Sequence, residues 1–315
     1  MEIIYDLENY REEKETYVTI GTFDGIHLGH QEIIKTLIEK SRVSHKKNIL
    51  ITFYPHPQMV VNSKYNSDIE LLTSPEEKIE ILKNFNIDKI LFINFTKEFS
   101  EISPEEFLKN VLIEKLNATG VVVGYNHAFG KGRKGRIEFL KDFGKRNGME
   151  ITVVEPVIVN GKPISSTLIR KLLKSGDVLK ASRYLGSRYF INGEVVKGAG
   201  RGKRLGFPTA NLIVKNSRKL IPRNGVYIVK IVFKDEIYNG MFYIGTRSTY
   251  GETERTLEVN IFDFNKDIYG EMLKIIFLKR IRNDETFKSE HELYLQLKKD
   301  KRESIYFIKN MDKNK

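Results

Sequence analysis

The chain has 315 residues, about twice the ~150 of an average domain, and its 40% hydrophobic and 11% aromatic content is enough for packed cores. It contains no cysteine, which excludes disulfides, thiolate metal sites and thiol nucleophiles and points to a reducing cytoplasm. A net charge of +12, from 53 Lys and Arg against 41 Asp and Glu, reads either as attraction for anions such as nucleotides or as a solvated lysine-rich surface. The lysines are spread along the chain and do not gather on one aromatic-studded element, so no nucleic-acid partner is expected. No stretch offers the ~18 uninterrupted apolar residues of a membrane span. The acidic start MEIIYDLENYREEKE lacks the basic-then-apolar order of a signal peptide.

In chain order, residues 17–20 read as a strand, and HQEIIKTLIEKSRV (30–43) has the apolar spacing of a helix. A strand at 48–54, a helix at 74–85 with Ser74 as N-cap and Pro75 in its first turn, and a strand at 89–95 follow. Residues 103–116 repeat the Ser-Pro helix start, and 120–124 form a short apolar strand. A helix at 137–147, a strand at 150–155 and a helix at 166–175 complete the first half. Strands alternating with crossover helices predict a doubly wound α/β domain with a parallel sheet. After Ser187 the pattern turns β-rich: YFINGEVV, GVYIVKIVF, EIYNGMFYIG, TLEVNIFDF and MLKIIFLKRI, separated by turn residues. This predicts an antiparallel sheet or small β-barrel closed by a helix over 284–299 and a frayed tail, with the domain boundary near Gly186 (1–186 and 187–315).

GTFDGIHLGH (21–30) falls where the first strand gives way to the first helix, the sheet edge at which open α/β folds bind ligands. Its glycines allow tight turns, and a helix start offers N–H groups to phosphate oxygens. His27 and His30, three apart, can face one ligand and stabilise charge growing on a phosphoryl group. The bland alternative makes one a helix cap and the other a core residue. A second segment, PISSTLIRKLL (163–173), sets three hydroxyls before a helix with Arg170 one turn in. GKGRKG (130–135) matches G-x-G-x-x-G, but residues 125–129 separate it from the strand, so it reads as a basic loop over phosphates. No P-loop motif occurs.

The combination HxGH with a later SSTxIR resembles the nucleotidylyltransferase superfamily. It is most similar to the FAD synthetase half of the bacterial riboflavin kinase/FAD synthetases, through TFYPHP (52–57) and GYNHAFGKGRKG (124–135). The resemblance implies that His27, His30 and Arg170 work on ATP phosphates and that Asn126 contacts substrates near them. It makes Gly21, Phe23, Asp24, Gly29, His56, Ser165, Ser166 and Thr167 candidates for ATP or flavin binding. His127 occupies a position that differs in relatives.

In the second half, GAGRGKRLGFPTANL (198–212) combines glycines with cations, as in a backbone nest for phosphate, or forms a Gly-rich hairpin loop. Thr209 and Asn211 supply hard oxygens suited to Mg²⁺ held jointly with ATP. GRGxxLGFPTAN resembles the riboflavin kinase family, whose fold is a small β-barrel, and the likeness continues in NGVYIVKI, GTRSTYG and LEVNIFDFNKDIYG. It implies that Glu258 is the base toward the riboflavin 5′-hydroxyl, and that Gly198, Gly200, Arg201, Lys203, Phe207, Thr209 and Asn211 bind ATP or flavin. Tyr243 and Arg247-Ser248-Thr249 depart from the usual pattern beside the flavin, touching affinity and rate more than reaction type.

The expected activity is bifunctional. Riboflavin and ATP give FMN and ADP in the second domain, and FMN and a further ATP give FAD and pyrophosphate in the first. The partners expected are these small molecules, without nucleic acid or membrane, for a monomer or weak homo-oligomer. Two rivals are an adenylyltransferase for another phosphorylated acceptor, such as phosphopantetheine or nicotinate mononucleotide, and a non-enzymatic nucleic-acid-binding protein. GFPTAN and TFYPHP argue against the first, and the dispersed charge against the second.

Overall fold

Two compact units, Met1–Ser166 and Thr167–Lys315, make up the protein in the computed structural model, which describes residues 1–61, 69–198, 202, 205–249 and 252–313. Strands β1 (Glu2–Ile4), β2 (Thr16–Ile20), β3 (Lys47–Tyr54), β4 (Lys89–Asn94), β5 (Ala118–Gly124) and β6 (Glu150–Val154) form one sheet in the order β1-β4-β3-β2-β5-β6. Every pairing in it is parallel. All five residues of β2 are buried, as expected of a strand covered on both faces. Between the strands run α1 (Leu28–Val43), α2 (Pro57–Val61), α3 (Pro75–Leu82), α4 (Lys97–Ser100), α5 (Pro104–Glu106) and α6 (Ile137–Asn147). Val18, Ile49, Leu91 and Val121 pack on one face with Leu112 and Leu140. Leu50, Ile90 and Phe92 pack on the other with Ile34 and Leu82.

Both Ser-Pro helix starts close as capping boxes, Ser74 with Glu77 and Ser103 with Glu106. The second helix differs from expectation beyond that point: α5 runs into a π-helical stretch, Phe107–Ile113. From β2 the chain proceeds to β3 on one side, while β5 lies on the other. The gap between the ends of β2 and β5 is therefore the switch point where open sheets leave a crevice. A hairpin of β7 (Ile158–Val159) and β8 (Lys162–Pro163) precedes α7 (Ser166–Ser175).

The second unit continues with α8 (Val178–Leu185) and six strands: β9 (Phe190–Val196), β10 (Ala210–Ile213), β11 (Gly225–Phe233), β12 (Glu236–Thr249), β13 (Glu252–Ile261) and β14 (Met272–Arg282). They close into an antiparallel barrel in the order β10-β13-β12-β11-β14-β9. Tyr227, Phe242 and Phe277 meet edge to face in its core, 5.2 and 5.6 Å between ring centres. Helix α9 (Glu290–Lys313) brings Tyr294, Leu297 and Ile305 onto Phe207, Val226, Met241 and Phe262.

The α/β-plus-barrel architecture agrees with the sequence reading. The last helix does not keep the expected 284–299 limits: it begins at Glu290 and is helical through Lys313, taking in residues 311–313 of the expected tail, while 314–315 lie outside the described residues. A buried carboxylate explains the misreading. Asp300 faces inward, where it accepts from Arg282 Nε at 3.0 Å and Gln296 Nε2 at 2.7 Å, so a polar-looking stretch is packed helix.

Candidate active sites

The turn from β2 to α1 carries the first cluster. Three of its residues take left-handed backbone angles: Phe23 (φ 44°), Gly25 (φ 84°) and Ile26 (φ 41°). Two of these are not glycine, a strain that persists only where surrounding structure over-determines it, and such positions gather at ligand sites. Phe23 and Ile26 meet that condition by being buried. A side chain at Gly29 would press on the His27 ring, with a Cβ 3.2 Å from its nearest atoms, which accounts for the small residue between the histidines.

His27 is the N-cap of α1, its Nδ1 accepting from the His30 N–H at 3.3 Å. The proton of the neutral ring is thereby placed on Nε2, so capping leaves a donor on the other nitrogen. The two imidazoles stack with centres 3.7 Å apart and planes 15° from parallel, and Phe23 meets His30 edge-on at 5.2 Å. Burial pushes the His27 pKa down to about 4, only partly opposed by Asp24. Burial, His27 and Lys78 together hold His30 well below the ordinary imidazole range. Both rings are neutral at physiological pH. His30 Nδ1 is shielded from solvent and has no hydrogen-bond partner among the described residues.

Asp24 is buried and spends its carboxylate on the protein, accepting from the N–H groups of Leu72 (2.9 Å) and Thr73 (3.1 Å). The Gly25 N–H donates to Thr73 Oγ1 (3.1 Å), so the turn is fastened to the start of α3. A lysine that sequence reasoning passed over completes the fastening. Lys78 of α3 is buried and donates to the Thr22 carbonyl (2.6 Å) and to Thr52 Oγ1 (2.9 Å) at the end of β3. Burial lowers its pKa to about 8, with Asp24 acting in the opposite sense. Its sequence signal was a charge at helical spacing from the core residue Leu82, on the face that should have been apolar. Asp24, His56, Thr73 and Lys78 line a narrow cleft here with Phe53 and Phe92.

Of the other predicted residues, Asn126 is exposed just beyond β5, the strand across the switch point from the histidine turn. Ser166 opens α7 and donates its hydroxyl to the Asp24 carbonyl (2.9 Å), while Ser165 is exposed. Thr167 and Arg170 lie on α7, with Arg170 one turn beyond Ser166 on the same helix face. His127 is stacked on Phe129 (5.5 Å), and burial holds it to a pKa of about 4, with Arg133 adding to the effect.

The second cluster is assembled by strand register. Asn211 of β10 pairs with Glu258 of β13, which pairs in turn with Tyr243 of β12, so three side chains share one face across three strands. The Thr209 hydroxyl donates to Glu258 Oε2 at 3.1 Å, and Asn260 Nδ2 holds the Pro208 carbonyl at 2.7 Å. A side chain at Gly198 would collide with the Asn211 carboxamide. The Leu205 and Phe207 N–H groups turn back to the Gly202 carbonyl (3.1 and 2.9 Å), and Gly206 is left-handed. Gly200, Arg201 and Lys203 lie outside the described residues. Phe207 is buried beneath α9, and a cavity of about 290 Å³ beside it is lined by Pro208, Asn260, Asp263, Phe264 and Lys301. Tyr243 donates to Asp284 Oδ1 (2.9 Å).

Separate family models cover the two halves: FAD synthetase matches residues 9–168 and riboflavin kinase matches residues 185–307. The two matches define a two-enzyme polypeptide of nucleotide-dependent transferases. The chain is 36% identical to the bifunctional riboflavin kinase/FMN adenylyltransferase of Bacillus subtilis (strain 168), over 96% of this chain and 95% of that one. It is 32% identical to the protein of the same description from Escherichia coli (strain K12), covering 90% of each. A solved structure from Streptococcus pneumoniae, described as a macrolide-efflux protein, superposes with a TM-score of 0.88 at 33% identity, covering 95% of this chain and 97% of that one. Among the described residues no helix is long and apolar enough to cross a membrane. The chain belongs to the bifunctional riboflavin kinase/FMN adenylyltransferase family.

Proposed function

We propose that the two clusters run the two successive steps of flavin cofactor synthesis, residues 187–315 phosphorylating riboflavin and residues 1–186 adenylylating the product. The protein is a riboflavin kinase and FMN adenylyltransferase; the observation that carries this is the separate match of each half to one of the two activities. In the kinase half, Glu258 takes the proton of the riboflavin 5′-hydroxyl as its oxygen attacks the γ-phosphorus of ATP, giving FMN and ADP. Thr209 orients that carboxylate through its 3.1 Å bond. The cavity beside Phe207 is the place for the adenosine, with Lys301 contributing positive charge.

Thr209 and Asn211 fit a Mg²⁺ ion by the chemistry of their oxygens. The threonine proton points at Glu258, which leaves the hydroxyl lone pairs for a cation. Among the described residues no group of three His, Cys, Asp or Glu could hold a metal, so a divalent cation here would be shared with phosphate oxygens. Held by Thr209 and Asn211, Mg²⁺ would supply charge neutralisation for the ATP phosphates.

In the transferase half, a phosphate oxygen of FMN attacks the α-phosphorus of ATP and pyrophosphate departs, giving FAD. The neutral His27 and His30, at a helix N-terminus, donate to the phosphate oxygens as charge builds, and Arg170 neutralises part of it. Asn126, across the switch point, positions the substrates. We place this chemistry in the cytoplasm, in a monomer or weak oligomer with small-molecule partners alone. Incubation with riboflavin, ATP and Mg²⁺ followed by chromatography should show FMN and then FAD. Absence of both would end the proposal.

A further inference from the structure

Lys78 is a buried charge beside the histidine turn that the mechanism above does not use. Its ammonium has three N–H donors, and two go to protein acceptors, the Thr22 carbonyl at 2.6 Å and Thr52 Oγ1 at 2.9 Å. Thr52 Oγ1 also donates to the Thr22 carbonyl at 3.1 Å, so β3, α3 and the β2–α1 turn meet at that one oxygen. The next residue is the left-handed Phe23, whose ring packs edge-on against His30. No acceptor takes the third N–H among the described residues, and the side chain lines the cleft shared with Asp24 and His56. Taking an ammonium out of water is costly, and a purely structural bridge between two neutral oxygens would be met more cheaply by a neutral donor. Asp24 lies in its field, but that carboxylate is already engaged by the Leu72 and Thr73 N–H groups and does not offset the effect of burial on the lysine, so a further anion, such as a substrate phosphate, would complete the balance.

Resting on the reading of the histidine turn as the adenylyl-transfer site, we propose that Lys78 is a positioning residue for that reaction: its ammonium clamps the Thr22 carbonyl, fixes the Phe23–His30 contact, and adds a positive charge behind the phosphates. It acts through the turn, and its charge belongs to the site and not only to the fold. The titratable groups facing it are Asp24 on the turn, His30 on α1 and His56 beyond β3. With a pKa of about 8, the ammonium is charged below that pH and neutral above it, so FAD formation should decline as pH rises through about 8.

The test compares wild type, Lys78→Met and Lys78→Arg in adenylylation of supplied FMN, across pH, with thermal unfolding followed for each. Lys78→Met should lower kcat/KM about 10- to 100-fold, chiefly in kcat, through loss of charge-assisted hydrogen bonds. Lys78→Arg, which stays charged, should keep a larger share of activity and lose the decline near pH 8. A Lys78→Met enzyme matching wild type would overturn the proposal, and so would a Lys78→Arg enzyme that keeps the wild-type alkaline decline, since a merely structural role would leave the pH profile alone. If Lys78→Met does not fold, the Lys78→Arg profile decides. A wild-type enzyme that makes no FAD from FMN defeats the underlying reading, and this proposal with it. Wild-type FAD synthesis beside unaffected lysine variants defeats the proposal alone.

Discussion

The two halves build their candidate sites by opposite routes. The front site is written locally: within the ten residues 21–30 lie the turn, the helix cap and both imidazoles, and the His27–His30 stack closes over three positions. The rear site is written in register: Thr209 and Glu258 are 49 residues apart and meet because β10, β13 and β12 pair as they do. In front, burial does the tuning and keeps two adjacent imidazoles neutral. Behind, a half-buried carboxylate is aimed by a hydroxyl and by its cross-strand neighbours. A local site is exposed to anything that alters one turn, whereas a register site is exposed to anything that shifts one strand.

The sharpest way to break this contrast is to silence one site and assay the other. Glu258→Gln keeps the shape but removes the proposed base, and should cut riboflavin phosphorylation about 10²- to 10⁴-fold while FMN supplied directly is still converted to FAD. Loss of both activities in a folded variant would show that the sites are not independent. His27→Ala or Arg170→Ala should depress FAD formation about 10²- to 10³-fold while FMN accumulates, measured in the same chromatographic assay. Normal FAD output from both would dismiss the front cluster. A milder change sharpens the account of the rear site: Thr209→Val removes the hydroxyl that orients Glu258 and should cost the kinase about tenfold. If kinase kinetics do not change, Thr209 has no part in the reaction.

The smallest expected effect concerns acid stability. Burial holds His27 to about 4 against an ordinary 6.5, so between those pH values the unfolded chain binds a proton that the folded chain refuses. The unfolded state binds more protons there, and stability falls as pH drops through that window. His27→Asn keeps a good cap but cannot titrate, so its melting temperature should fall less steeply from pH 6.5 to pH 4. A parallel fall in both proteins would mean that the buried imidazole does not set the acid response.

Apolar runs and Ser-Pro starts made most of the fold readable from sequence, because central strands and capped helices carry their signals within a few residues. Short or covered elements did not: β1 has three residues, β10 has four, and α9 hides a buried Asp300 paired with Arg282. The histidine turn was readable for the same local reason. Lys78 was not, since a lysine in a short acidic helix looks like surface until Thr22 and Thr52 are seen to receive it. The Thr209–Glu258 bond could be reached only by analogy, as no spacing rule joins residues brought together by a barrel.

Closure of that barrel bears on how the chain meets other β-structure. Around its circumference each strand has two partners, so a foreign extended segment finds no open flank there. The parallel sheet does have flanks, yet β1 offers only three residues, and β6 begins with Glu150, which Lys40 engages at 2.6 Å. The free rims of the parallel sheet are thus short, and one of them carries an ion pair at its start.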